Sequence, residues 1–191
     1  MLEASGTTCI WDQARESLEW RNPLKTRTVL MLSIRLAVAN DTNEIWSILE
    51  PVFRGGETYA IARDITKEDA IKYWCGPNHE AFVAEDGGRI LGTYYLRANQ
   101  GGGGAHVANC GYITAPEAQG RGIARAMLSH SLERAVGRGF RAMQFNCVVS
   151  TNTRAVESWQ KNGFAIVGRL PQAFHHPTLG YVDALVMFRQ L

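Results

Sequence analysis

The chain reads as one α/β (mixed α+β) domain, a central mixed, mostly antiparallel sheet flanked by helices on both faces, and three observations predict it. A strand-like run at 107–114 hands over through Gln119-Gly120-Arg121-Gly122-Ile123-Ala124 to a long amphipathic helix. Residues 152–164, from Asn152 to Gly163-Phe164, read as a short helix that a glycine ends before another strand. Around these two segments the apolar pattern switches between periods of two and 3.6 in the order β-α-α-β-β-β-α-β-α-β-β, with no internal repeat.

Each element has its own local signal. Residues 34–38 alternate as a first strand of a domain spanning 33–191, and residues 1–32, with Met31 just before that strand, are either an N-terminal extension or a start-site artefact. Asp41 with Glu44 forms a capping-box pattern, and Ile45, Ile48, Leu49 and Val52 follow at helical spacing to about Phe53. Gly55 and Gly56 break that helix, Glu57-Thr58-Tyr59 lies in the loop beyond, and Thr66 with Asp69 opens a second short helix through Trp74. Residues 81–84 and 90–96 form a hairpin about Asp86-Gly87-Gly88. Gly101 to Gly104 reads as a flexible connection, since a strand and not a helix follows it. The helix after the glycine loop presents Ile123, Met127, Leu128, Leu132, Ala135 and Val136 as a core stripe, and Gly139 stops it. A strand at 142–149, the short helix, and strands at about 164–168 and 181–188 complete the chain, with Phe174-His175-His176-Pro177 in the last long loop.

Composition narrows the class. With 191 residues and 46% hydrophobic content the chain is one domain's worth and buries a sizeable core. A formal net charge of +2, without a Lys/Arg block interleaved with aromatics, argues against nucleic acid or an anionic membrane as partner. Cys9, Cys75, Cys110 and Cys147 are scattered, with no C-x-x-C pair and no His at metal-ligand spacing, so the thiols read as incidental in a reducing compartment and no metal is expected. The first thirty residues carry Glu3, Asp12, Arg15, Glu16 and Glu19 without the apolar stretch of a secretory signal, and no run is long enough to span a bilayer. The expectation is a soluble, cytoplasmic protein.

The glycine loop is an anion cradle by its chemistry. Gly120 and Gly122 leave the backbone bare, so successive N–H groups can face an anion while the helix aligns its positive end with the same spot. Arg121 and Arg125 add counter-charge. A P-loop would need Gly-Lys-Ser/Thr, and a dinucleotide fingerprint would need Gly or Ala where Arg125 stands, which excludes both. The loop resembles the Gln/Arg-x-x-Gly-x-Gly/Ala motif with which the GNAT superfamily of N-acetyltransferases holds the pyrophosphate of acetyl-CoA. Residues 152–164 resemble that superfamily's Asn-x-x-Ala-x-x-x-(Tyr/Trp)-x-x-x-Gly-Phe segment, whose short helix flanks the pantetheine arm. The resemblance implies the GNAT fold, acetyl-CoA as co-substrate, and cofactor contacts from Ile113, Thr114, Gln119, Gly120, Arg121, Gly122, Ile123, Ala124, Asn152 and Trp159. It also implies a homodimer.

Acyl transfer from a thioester to an amine needs a neutral amine, a polarised carbonyl and a departing thiolate. Many GNAT enzymes place a Tyr acid on the short helix, where this chain has Trp159, a residue suited to packing. The remaining candidates are amides, because an Asn inside a strand competes with the ladder and invites a functional reading. Asn109 and Asn146 fall in neighbouring strands, and Asn146 faces away from Met143, Phe145 and Cys147 on alternation. Asn152 opens the short helix, where capping and cofactor contact can coexist. Glu57 is the best candidate base, since its loop joins the first two helices, and a solvated loop carboxylate is the alternative. Arg97 and Arg169 are possible anchors for an acceptor carboxylate, but surface exposure is the favoured reading of each. Cys110 has no neighbouring base to activate it, which disfavours a covalent intermediate.

A closer similarity lies in Gly56-x-Thr58-Tyr59, Tyr73-Trp74, Leu91-Gly92-Thr93-Tyr94-Tyr95, Asn109-x-Gly111-Tyr112, Phe145-Asn146 with Thr151-Asn152, and Val182-Asp183-Ala184-Leu185. These segments resemble the fungal proline-analogue acetyltransferases, which act on L-azetidine-2-carboxylate and related imino acids, and their bacterial relatives. That similarity implies substrate contacts from Thr58, Tyr59, Asn109 and Tyr112, with Asn146 polarising the reacting carbonyl. The expected acceptor is a small-molecule amine; a peptide N-terminus, or a non-catalytic acyl-CoA-binding module, are the alternatives.

Overall fold

The computed structural model describes residues 32–191, so the N-terminal extension falls outside the described residues apart from its last position. The elements are β1 (Ser33–Leu36), α1 (Thr42–Gly55), α2 (Lys67–Trp74), β2 (Glu80–Asp86), β3 (Arg89–Ala98), β4 (Val107–Thr114), α3 (Ile123–Gly137), β5 (Ala142–Val149), α4 (Thr153–Lys161), β6 (Ala165–His176) and β7 (Gly180–Gln190). This is the order the sequence predicts. The strands form one seven-stranded sheet, β1-β2-β3-β4-β5-β7-β6, in which only the β4–β5 neighbours run parallel. No helix of the described residues is long and apolar enough to cross a membrane.

Alternation assigns the two faces. Thr93 and Tyr95 of β3 point toward α2, where Trp74 Nε1 donates to Thr93 Oγ1 at 2.9 Å and the Trp74 ring meets Tyr95 at 4.9 Å. Tyr94 and Tyr112 point the other way, toward α3, where their hydroxyls meet His130 Nδ1 at 2.6 Å and Ser131 Oγ at 2.7 Å. The core is continuous across both faces, with Ile45, Leu49, Phe53 and Trp74 on one side and Ile123, Met127 and Leu128 on the other.

Chain reversals follow glycine chemistry where φ must be positive. Gly87 and Gly88, at φ 59° and 80°, form the two-residue turn between β2 and β3, with Asp86 opposite Arg89. Both α3 and α4 end in Schellman motifs. After α3, Phe140 N–H reaches Ala135 O and Gly139 N–H reaches Val136 O; after α4, Phe164 N–H reaches Trp159 O and Gly163 N–H reaches Gln160 O.

Three expectations need correction. Asp41 does not cap α1: its carboxylate accepts from Val38 N–H at 2.8 Å and pairs with Arg35 at 2.7 Å, while Glu44 lies within 3.3 Å of the Ile90 amide. The Arg35 hydrogen bond holds Asp41 below the usual carboxylate range, so the pair ties β1 to the start of α1. Val136 is exposed, and the fifth buried position of α3 belongs to Ser131, whose hydroxyl donates to Leu128 O. Finally, β6 runs on through Pro171 to His176, because a bulge between Leu170 and Phe174 absorbs the proline and the positive φ of Gln172, and Asp183 accepts the Gln172 N–H at 2.9 Å.

Thr93 is fully buried between two partners, accepting from Trp74 and donating to Phe82 O at 2.9 Å. Thr93→Val keeps the shape but strands the indole N–H and the carbonyl, and it should cost about 2 kcal/mol in urea unfolding with an unchanged m-value.

Candidate active site

The loop between β4 and α3 builds a cradle open to an anion. Gly120 and Gly122 have φ of 76° and 83°, and a Cβ built on either meets nothing within 4 Å, so the space they face is free. No side chain caps α3 and its first turn carries no acid, which leaves the helix's orphan N–H groups and dipole without an internal counterpart. A pyrophosphate fits this arrangement. Arg125 lines the same cavity, whereas Arg121 turns away to Asp86 at 3.3 Å on the β2–β3 hairpin.

From the cradle the cavity, about 780 Å³, follows the edge of β4. The parallel pairing of β4 with β5 lasts only from Val107↔Ala142 to Ala108↔Met143. Beyond it the strands diverge into a fork, and Asn109 Nδ2 donates to Gln144 O at 2.9 Å where the fork begins. On the α3/α4 side the fork is walled by Phe145, Tyr112 and Trp159, with Trp159 4.9 Å from Phe145 and 5.3 Å from Tyr112. Asn152 caps α4 by accepting from Ala155 N–H at 3.2 Å and lines the cavity as well.

On the α1/α2 side the cavity ends against Thr58, Tyr59, Tyr73, Tyr95 and Arg97. The register sets this wall: Tyr95 lies opposite Gly111 and Arg97 opposite Asn109, so all four share one face. Gly111 is required there, since a Cβ would come within 2.6 Å of the Tyr95 ring and 3.2 Å of Tyr59 Oη. Tyr59 Oη donates to Tyr112 O at 3.0 Å, and burial raises the Tyr59 and Tyr95 phenols above their ordinary range, keeping both protonated donors.

The residues singled out from sequence distribute unevenly. Ile113, Thr114, Gln119, Gly120, Gly122, Ile123, Ala124, Asn152 and Trp159 all line the cavity, as do Thr58, Tyr59, Asn109, Tyr112 and Asn146. Arg121 and Glu57 do not, and Glu57 is exposed. The amide of Asn109 is buried, with Nδ2 on Gln144 O and Oδ1 3.4 Å from Tyr95 Oη, so it clasps the fork. Asn146 is exposed, donating to Asn99 Oδ1 at 2.7 Å and accepting from Gln144 Nε2 at 2.8 Å. Tyr112's hydroxyl is committed to Ser131 on the α3 side. Cys110 lines the cavity, but burial pushes its thiol up to about 12, far from a nucleophilic thiolate. Arg169 is taken by Asp183 at 2.7 Å. Sequence reasoning passed over Tyr73 and Tyr95 as lining residues and favoured the surface for Arg97; the signal for Tyr95 and Arg97 was their i, i+2 spacing in a strand facing Asn109 and Gly111.

A separate groove of about 820 Å³ along α3, lined by His130, Glu133 and Arg189 among others, meets the cradle at Gly122 and Arg125 but holds no residue of the fork.

This fold, cradle and forked cavity define a class, the acetyl-CoA-dependent N-acetyltransferases. The chain matches the model of the acetyltransferase (GNAT) family over residues 42–164, and it belongs to that family. It is 31% identical over 100 residues to N-acetyltransferase aca1 of Schizosaccharomyces pombe, a match covering 51% of this chain and 47% of that protein, so the aligned part spans about half of the relative's length. A GCN5-related N-acetyltransferase from Kribbella flavida superposes with a TM-score of 0.79 at 43% identity, covering 84% of this chain and 98% of that one. Phosphinothricin acetyltransferase from Sinorhizobium meliloti, solved in complex with AcCoA, shares the fold at TM-score 0.73 and 23% identity, covering 84% and 88% of the two chains. So does yncA from Salmonella typhimurium, solved with its cofactor acetyl-CoA, at TM-score 0.73 and 20% identity over 84% and 94%.

Gly122→Val forces a β-branched side chain into a positive φ and fills the space in front of the helix start. Acetyl-CoA binding, measured by calorimetry, should weaken about tenfold or more while circular dichroism remains that of the folded protein.

Proposed function

We propose that the protein transfers the acetyl group of acetyl-CoA to the amine of a small molecule by direct attack in a ternary complex, with a proline-like imino acid or amino-acid analogue as acceptor. One observation carries this reading: a single cavity joins the cradle, the fork and a tyrosine-walled end across the sheet. With the cofactor's pyrophosphate on the cradle, its thioester reaches the fork from the α3/α4 side, and the amine meets it from the α1/α2 side. The amine nitrogen bonds to the carbonyl carbon, the C–S bond breaks, and CoA leaves as a thiolate, which with a thiol pKa of about 8.5 needs little proton assistance.

The electrostatics of the lining favour the free amine. Among the described residues Arg97, Arg125 and Arg154 line the cavity and no Asp, Glu or His does, so a bound ammonium gains no counter-ion there and its neutral form is relatively stabilised. The proton therefore passes to water, and Glu57, exposed outside the lining, is not needed as base. Asn146, at the fork, is the candidate group for polarising the thioester carbonyl, and Asn109 holds the geometry in which it acts. The raised Cys110 thiol supports direct transfer over a covalent intermediate.

The seat proposed for the homodimer implied by the resemblance is β6. It is an edge strand that leaves Ile166, Val167 and Leu170 exposed, next to Leu179 and Tyr181 at the β6–β7 turn. Sedimentation equilibrium should read twice the chain mass, and a monomer at all concentrations would exclude this arrangement.

A thiol-release assay across imino acids, amino acids, polyamines and peptides tests the activity. Turnover should be strongest with small amines such as L-azetidine-2-carboxylate. Turnover with peptide N-termini alone, or cofactor binding with no turnover, would replace this reading by one of its alternatives. Asn146→Ala should lower kcat about 10²-fold with little change in acetyl-CoA affinity, whereas Trp159→Phe should leave kcat within about threefold. Equal losses in both would assign Asn146 to packing.

A further inference from the structure

The acceptor end of the cavity contains a guanidinium for which the described residues supply no partner. Arg97, near the end of β3, is half-buried and lines the cavity, and its Nε is buried without a hydrogen-bond partner. Among the described residues no carboxylate forms an ion pair with it, whereas Arg35, Arg54, Arg89, Arg134 and Arg169 are all paired. A buried guanidinium donor left without an acceptor is unfavourable, and its planar fork suits a carboxylate bidentately.

Its surroundings specify where such a carboxylate would lie. Arg97 faces Asn109 directly across the β3–β4 ladder, at the point where the β4–β5 fork opens. Asn109 lies five positions before Thr114 at the cradle end of β4, about 16 Å along the strand, so this cation is remote from the pyrophosphate cradle. The aromatic side of the site is Tyr95, two residues before Arg97 on the same face, with His79 stacked on Tyr95 at 4.7 Å and Tyr73 at 6.2 Å. Burial first, and the Arg97 charge second, hold His79 below its ordinary value, so it stays neutral and does not share the role of cation.

The geometry points to Arg97 as the specificity residue that binds the acceptor's carboxylate, which makes the substrates α-amino or α-imino acids and excludes polyamines and other polycations. This assignment rests on the small-amine reading above. A carboxylate on Arg97 orients the amine one carbon away toward the fork, and the same positive end repels a second ammonium group.

The test compares each amino acid with the amine it becomes on losing its carboxylate: L-azetidine-2-carboxylate against azetidine, and L-alanine against ethylamine. The wild-type protein should favour the acid in both pairs by kcat/KM, mainly through KM. In Arg97→Gln that ratio should fall about 100-fold, and Arg97→Lys, which keeps the charge but loses the planar fork, should recover part of it. Acetyl-CoA binding by calorimetry controls for folding. Equal turnover of acid and amine by the wild type, or equal loss of both in Arg97→Gln, would overturn the assignment and leave the acetyltransferase reading standing. Should no small amine be acetylated, calorimetric titration of L-azetidine-2-carboxylate into the CoA complex decides. Binding that Arg97→Gln weakens keeps the carboxylate site while the proposed turnover falls, and binding indifferent to Arg97 removes the site.

Discussion

The parallel pairing of β4 and β5 stops after two residue pairs, and the two ends of the cavity are organised around that break. Opening a sheet exposes backbone N–H and C=O groups that would otherwise bond each other, each of which costs about 1–3 kcal/mol if buried unpaired. The chain meets part of that cost with side chains. Asn109 supplies a donor to Gln144 O at the apex, and Tyr59 reaches across to Tyr112 O. On the far side β5 is held by β7, where a bulge between Phe145 and Val148 lets it bend away from β4 without losing its other neighbour. Phe145, Trp159 and Phe164 pack into the space this creates, with Phe145 and Phe164 stacked at 4.4 Å. The fork edges of β4 and β5 that remain are free to meet an amide-bearing arm such as that of acetyl-CoA.

A central strand pair that separates also makes the sheet permeable at one place. Elsewhere the α1/α2 face and the α3 face are divided by continuous ladders, as the opposed settings of Tyr94 and Tyr95 illustrate. At the fork, residues from both faces line one cavity. A large anionic co-substrate and a small acceptor can thus approach from opposite sides without competing for space. On the proposed reading, the chemistry relies on position and on a lining in which no described carboxylate appears, more than on an ionisable catalyst.

What was legible in the sequence was local. The positive-φ glycines of the cradle, the glycine stops after α3 and α4, the Gly87-Gly88 turn and the Thr66 cap are all set by chain neighbours within five residues, and each appears where the sequence predicts it. The misread features depend on distant partners. Asp41 and Glu44 have the spacing of a capping box, but Arg35 outcompetes the helix N-terminus for Asp41, and Ile90 engages Glu44. The strand read at about 164–168 in fact runs on past Pro171, because the bulge that accommodates the proline is defined only against β7. Arg97 looked like a surface cation since its setting follows from the β3–β4 register and from the pairing of Glu80, opposite Leu96 on β2, with Arg134 and Arg138, neither of which a single segment displays.

The same division separates the two recognition tasks. The cradle is made by one continuous loop and the first turn of α3, so its geometry is fixed once that loop folds. The acceptor wall is assembled from the α1–α2 loop, the end of α2, β3 and β4, and it holds its shape through Gly111, whose missing side chain lets Tyr95 and Tyr59 close over the strand. Side-chain changes at Tyr73, Tyr95 or Arg97 touch no cradle residue, and groups separated by more than about 10 Å with no shared partner contribute independently to a good approximation. Acceptor choice can therefore vary with the wall while cofactor binding stays constant. Asn109 is the exception, because it lies beside Arg97 and also clasps the fork that admits the thioester, so its replacement must alter both ends together.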